Sequence, residues 1–185
     1  MKRSLVAALV GIAFVPFAAQ AQKHHSSSSP SSVKPVQFGI AGGAALPTSD
    51  LSNGANTGFN VTGTLAVNQS LIPLGIRVDA AYNRFGLKQG ASGDIHFASV
   101  TGNLVYQLPS ASVTPYAIGG AGWYNAAMNL TGVGSGSDNH FGWNVGGGIK
   151  MPLSGFDTFV EARYNQVQGN GGSLKFIPIT FGVMF

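Results

Sequence analysis

The run Lys175-Phe-Ile-Pro-Ile-Thr-Phe-Gly-Val-Met-Phe185 limits the possible folds more than any other stretch of this 185-residue chain. Ile177, Ile179, Phe181, Val183 and Phe185 fall on one face, and Phe176, Pro178, Thr180, Gly182 and Met184 on the other. A period of two means a strand, because successive side chains point to opposite faces of a sheet. A soluble sheet rarely leaves so apolar a strand exposed, since open edges invite aggregation. The pattern therefore asks for a partner strand on both sides and an apolar medium on one face.

The opposite end has the form of an export signal. Lys2 and Arg3 form a positive n-region, Leu5 to Phe17 an apolar h-region, and Ala19-Gln20-Ala21 a small-residue cleavage site, so the mature chain is expected to begin near Gln22. No later segment holds the ~18 uninterrupted apolar residues of a membrane-spanning helix. Removing Lys2 and Arg3 from the ten basic residues leaves eight against six acidic, a net charge of +2, with no basic cluster. Nucleic-acid binding is not expected. Cysteine is absent, which excludes disulfides and thiolate chemistry. Charged residues make up 9% of the chain, against about 25% in soluble domains. A surface facing lipid accounts for that shortage.

Residues 22–35 include KHHSSSSPSSVKP, a polar low-complexity segment expected to be disordered. His24 and His25 are the only metal-ligand candidates there, and two adjacent histidines without further ligands do not make a metal site. No metal or cofactor is expected.

From residue 36 to residue 185 the chain alternates apolar runs with turn-rich breaks, and eight runs can be counted. The fifth is read with Tyr116, Ile118, Gly120, Gly122 and Tyr124 on the apolar outer face and Ala117, Gly119, Ala121 and Trp123 opposite. The breaks are long after runs 1, 3, 5 and 7 (about 47–57, 86–94, 126–139 and 166–173) and short after runs 2, 4 and 6. An eight-stranded antiparallel up-and-down transmembrane barrel with both termini in the periplasm needs this rhythm. Closure also satisfies the backbone hydrogen bonds that lipid cannot. Aromatic residues fall near the two ends of the strands: Tyr82, Tyr124, Phe141, Trp143 and Tyr164 at the outer end, and Phe38, Tyr106, Tyr116, Phe156 and Phe185 at the periplasmic end. This is the expected pair of girdles.

Together these features resemble the small outer-membrane β-barrel family of the OmpA-like transmembrane and opacity-protein type, over roughly residues 35–185. The resemblance implies residence in the cell outer membrane of a Gram-negative bacterium, among lipid and lipopolysaccharide, as a monomer. It also implies delivery by the barrel-assembly machinery, which reads the terminal strand through Phe181, Val183 and Phe185.

Five charges fall on the inward phase: Arg77, Asp79, Lys150, Glu161 and Arg163. An eight-stranded interior is just filled by side chains, and buried charges there must pair. The expectation is a network in which Glu161 bridges Lys150 and Arg163, with Arg77 and Asp79 nearby. It would serve as a plug or, alternatively, as an ion path. Some eight-stranded barrels modify lipid A with a histidine and a serine on the outer wall in a His-x-Ser arrangement. From His96 that position is Ala98, while Ser99 is one place off and on the opposite face. A base and nucleophile facing opposite ways cannot share a proton. No enzymatic activity is expected, and the reading is a structural or surface-interaction role through the outer loops. A lipid-A-modifying enzyme, a narrow channel and a soluble lipocalin-like barrel are the alternatives.

Overall fold

The computed structural model describes residues 35–68, 73–88, 93–108, 113–130, 134–169 and 172–185. The leader, nearly all of the polar segment 22–35 and the centres of most connections lie outside these residues. Eight strands run in chain order: β1 (Val36–Thr48), β2 (Gly58–Asn68), β3 (Leu74–Gly86), β4 (Gly93–Gln107), β5 (Thr114–Leu130), β6 (Gly134–Pro152), β7 (Asp157–Gly169) and β8 (Gly172–Met184). One short helix, α1 (Asp50–Gly54), follows β1. Each strand pairs antiparallel with its sequence neighbours, and β8 returns to β1 to close an all-β barrel.

Closure is made by the terminal run. Gly39 sits opposite Met184 and Thr48 opposite Lys175. Beyond the ladder, the Phe185 amide donates to the Phe38 carbonyl at 2.8 Å and the Phe38 amide donates to the Phe185 carbonyl at 3.3 Å. The Phe185 ring stacks on Phe38 at 5.4 Å and meets Phe156 at 6.1 Å. The last residue is thus tied to the first strand by main chain and ring. Ile179, Phe181 and Phe185 face outward, whereas Phe176, Pro178, Thr180, Gly182 and Met184 are buried.

The inside-out pattern is that of a membrane barrel. Val36, Phe38, Ile40, Val61, Leu65, Ile76, Val78, Val100 and Leu104 of β1 to β4 stand exposed on the outside, while Thr62, Thr64, Arg77, Asp79, Asn103, Asn144, Glu161 and Thr180 are buried inside. A water-soluble core would reverse this distribution. Among the described residues no helix is long and apolar enough to cross a membrane.

Two sequence expectations require correction. The first is the phase of β5. Trp123 points outward and is 71% exposed, whereas Tyr116, Ile118 and Tyr124 are buried in the lumen. Tyr116 and Tyr124 therefore belong to no girdle. The inward aromatics are accommodated by glycines across the ladder. A Cβ on Gly142 would lie 2.7 Å from the Tyr124 ring, and one on Gly148 would lie 2.6 Å from the Tyr116 hydroxyl oxygen. Glycine in these facing positions makes room for rings that an interior of this width otherwise excludes.

The second is the extent of the strands. Residues 126–139 do not form a long loop: β5 and β6 pair continuously up to Leu130 opposite Gly134. Likewise β7 and β8 pair as far as Gly169 opposite Gly172. Gly, Ser and Asn are poor strand formers by composition, but an antiparallel partner supplies hydrogen bonds that outweigh the preference.

Candidate functional site

The interior is built in three layers. At the end where β1 begins and β8 finishes, amides form a hydrogen-bonded chain. Gln107 donates to Asn68 Oδ1 at 3.0 Å, Asn68 to Gln37 Oε1 at 3.0 Å, and Gln37 to Asp157 Oδ2 at 2.6 Å. Lys150 Nζ lies 3.8 Å from the same Asp157 oxygen. Lys150 is thus placed with Asp157 at the mouth and not with Glu161. Gly148, two residues along β6, pairs with Glu161, whereas Lys150 pairs with Phe159. Two residues along a strand is a rise of roughly 6.5–7 Å, which moves its ammonium to the mouth.

The middle layer is a charge quartet. Arg77 on β3 reaches the opposite wall to donate to both oxygens of Glu161 on β7, at 2.7 and 2.9 Å. Its Nε also donates to Asp79 Oδ2 at 3.1 Å. Arg163 closes the circuit, with Nη2 2.8 Å from Asp79 Oδ2 and Nε donating to Glu161 Oε1. Two cations and two anions alternate, so the group is neutral. Its remaining lone pairs are served by the Thr64 hydroxyl on Asp79 Oδ1, Asn103 Nδ2 on Asp79 Oδ2 at 2.9 Å, and the Tyr116 hydroxyl on Glu161 Oε2 at 2.8 Å. The Arg77 guanidinium also stands 5.9 Å from the centre of the Phe159 ring. A buried ion pair is tolerable only with such additional hydrogen bonds.

Tyr116 is thus a ligand of the network, the reason its phase is inward. Tyr116→Phe is expected to lower stability by about 1.5–3 kcal/mol, the range for a hydrogen bond to a charged group. Urea unfolding of the barrel in phospholipid vesicles would read this loss, with no change in the native heat-dependent mobility on SDS gels.

The third layer is apolar. Phe85, Phe97 and Phe176 pack on one another with centroids 5.2–6.0 Å apart. Ala45, Leu51, Ala55, Ile95, Tyr124 and Val167 complete the cluster. Leu51 comes from α1, which is held over the opening by Ala55 bridged to Leu87 and by the Lys88 amide donating to the Gly54 carbonyl at 2.8 Å. Sequence reading missed this stopper. Its signal was present in Phe85, Phe97 and Phe176, all on the inward phase, but isolated phenylalanines on three strands show no pattern until register brings them together. Two lumenal cavities between these layers measure about 30 Å³ and about 20 Å³.

On the outer wall Tyr82 and His96 are in ring contact at 5.7 Å, and Trp143 and Tyr164 at 5.6 Å. Tyr106 is exposed toward the other end of β4, and Phe181 and Phe185 lie on the outward face of the closing strand. Asp94 Oδ2 is 3.1 Å from His96 Nδ1, and Arg84 Nη2 donates to Asp94 Oδ1 at 3.2 Å. Ser99 lines the lumenal cavity, on the far side of the wall from His96.

Comparison with known proteins agrees with this architecture. Neisserial surface protein A has a solved structure that superposes with a TM-score of 0.66 at 19% identity, over 82% of this chain and 96% of that one. Ail, the attachment invasion locus protein of Yersinia pestis, gives 0.52 at 21% identity, over 82% and 100%. The outer membrane enzyme PagL gives 0.55 at 18% identity, over 79% and 97%. At these identities the likeness is one of fold. No functionally curated protein matches the sequence. The profile of the outer membrane protein beta-barrel domain matches residues 5–185, so the chain belongs to that family of outer-membrane barrels.

Proposed function

We propose that this protein is a non-conducting outer-membrane barrel with a structural or surface-interaction role, carried by the wall and hairpins it presents outside its filled lumen. The observation that carries the reading is the three-layer interior. A hydrated ion would have to break the Arg77–Glu161 pair across the lumen and then pass the phenylalanine stopper. Leaving either charge unpaired costs several kcal/mol. The leader is removed at Ala21, and Phe181, Val183 and Phe185 serve as the recognition strand for assembly into a monomer surrounded by lipid and lipopolysaccharide.

The hairpin of β5 and β6 supports the interaction half of the reading. Pairing of β6 with β7 begins at Gly142, while β6 continues to Gly134 with β5 as its ladder partner. One backbone edge of this segment is left for an incoming extended chain, a recognised mode of strand addition. Ail is by its name an attachment protein, which is consistent with that use of the fold.

An enzyme of the PagL kind fits less well. Asp94 orients His96, but the outward row through His96 continues to Ala127 and only then Ser137. Two strand spacings are roughly 9–10 Å, beyond the reach at which a base activates a hydroxyl.

Two measurements test the proposal together. Planar-bilayer recordings of the folded barrel should show no resolved steps, and cells expressing a variant with residues 128–137 replaced by a two-residue turn should lose binding to immobilised host matrix while keeping a heat-modifiable barrel. Steady single-channel conductance would overturn the closed-lumen reading. Undiminished binding by the shortened hairpin would remove the hairpin as the interaction surface.

A further inference from the structure

The outer wall carries a groove of about 600 Å³ across β2 to β6. Register explains its shape. One outward row runs Gly63, Ala80, Val100, Trp123, and the row above it runs Val61, Tyr82, Ala98, Asn125, Asn139. Gly63, Ala80 and Ala98 give a low floor, and Tyr82 and Trp123 rise on either side of it. At the end nearer the long hairpins the groove meets two carboxamides, with Asn125 Nδ2 donating to Asn139 Oδ1 at 3.0 Å. That bond uses one hydrogen of Asn125 and one lone pair of Asn139. The Asn139 amide hydrogens and the Asn125 carbonyl oxygen take no part in it.

We infer that this groove is a binding site for one acyl chain of lipopolysaccharide, with the Asn125–Asn139 pair meeting the amide and hydroxyl groups at the head of that chain. Three observations carry the assignment. The groove is apolar, and its lining residues Val61 and Val100 are exposed on the outer wall, as is the neighbouring Val78. It lies in the half of the wall nearest the long hairpins, the outer leaflet for a barrel whose termini are periplasmic, which is where lipopolysaccharide resides. Its polar end offers a donor and an acceptor together. A hydroxyacyl amide answers both, whereas the glycerol ester of a phospholipid, with no hydroxyl or N–H at the chain head, answers only the donor. Two carboxamides on a lipid-facing wall are costly unless both capacities are met. The inference goes beyond the surface-interaction reading and needs only the outer-membrane location.

The test is native mass spectrometry of the folded barrel released from nanodiscs that contain phospholipid and purified lipopolysaccharide in equal amounts. The wild type should retain one lipopolysaccharide in preference to phospholipid. Ala80→Leu with Ala98→Leu fills the floor without touching the lumen and should reduce retention about tenfold, as expected when contact with a few methylenes is lost. Asn139→Ala, which leaves the floor open and cannot disturb the interior, should reduce the preference for lipopolysaccharide over phospholipid and keeps the test valid should the filled variant misfold. The heat-dependent shift on SDS gels reports folding in each case. Equal retention of the two lipids by the wild type, no retained lipid, or undiminished retention by a folded filled variant would each overturn the assignment.

Discussion

Arg77→Met should be the most damaging single change to the interior, lowering stability by about 3–5 kcal/mol. Arg77 spans the lumen, holding Glu161 with both Nη2 contacts and Asp79 with Nε. Without it the quartet becomes a triad with one excess negative charge, enclosed between the amide layer and the phenylalanine stopper. Arg163 still touches both carboxylates, so the damage is an uncompensated charge rather than total loss of contact. The decisive comparison is Arg77→Met with Glu161→Gln. The double variant restores neutrality, with Arg163 facing Asp79, and should recover more than half of the loss even though it has fewer hydrogen bonds than either parent. Urea unfolding in vesicles, followed through Trp123 and Trp143, measures all three. If the double variant is no more stable than Arg77→Met, the quartet is held by shape and hydrogen bonding and not by charge balance.

The quartet also shows how far a sequence can be read. Arg77, Asp79, Glu161 and Arg163 were assignable to the lumen from parity alone, since they alternate with Ile76, Val78 and Tyr82 on β3 and with Val160 and Tyr164 on β7. Their pairing was not. Which charges meet depends on the stagger around the barrel, and that is set by closure, a relation among all eight strands at once. Lys150 shows the consequence: it is inward by parity, but too near the mouth to reach Glu161. β5 failed for a different reason. Gly120 and Gly122 share a face with Tyr116, Ile118 and Tyr124, and Ala117, Gly119 and Ala121 share the other with Trp123, so both faces mix large and small residues and hydrophobicity no longer indicates phase. The missing information was in β6, where Gly142 and Gly148 leave room for those rings, and in Glu161, whose carboxylate draws the Tyr116 hydroxyl inward. The strand count and the outward phase of Tyr82, Tyr106, Trp143 and Tyr164 depend only on local alternation, which is why they were legible.

Glycine opposite an inward ring also occurs where the barrel closes, and there it yields the second large prediction. A Cβ on Gly182 would overlap Phe159 and come within 2.7 Å of the Ala41 Cβ, and all three nearest atoms belong to side chains. Gly182→Val should therefore destabilise through overpacking, by about 1–3 kcal/mol, without obstructing the β7–β8 ladder. Phe159→Ala should cost about 3–5 kcal/mol, because the ring fills the space between Gly182 and the Arg77 guanidinium and leaves a cavity when removed. In the double variant the valine enters the space the ring vacates. The losses should then fall short of additive by about 1–3 kcal/mol, a coupling readable from a full cycle of unfolding titrations. Additive losses would mean that the closing strand shifts to accommodate a side chain at 182, and that Phe159 is held by its stacking with Arg77 and not by the notch opposite. Because β8 is the closing strand, such a shift would also disturb the Phe38–Phe185 contact, and it would appear as a weakened heat-dependent mobility shift in Gly182→Val alone.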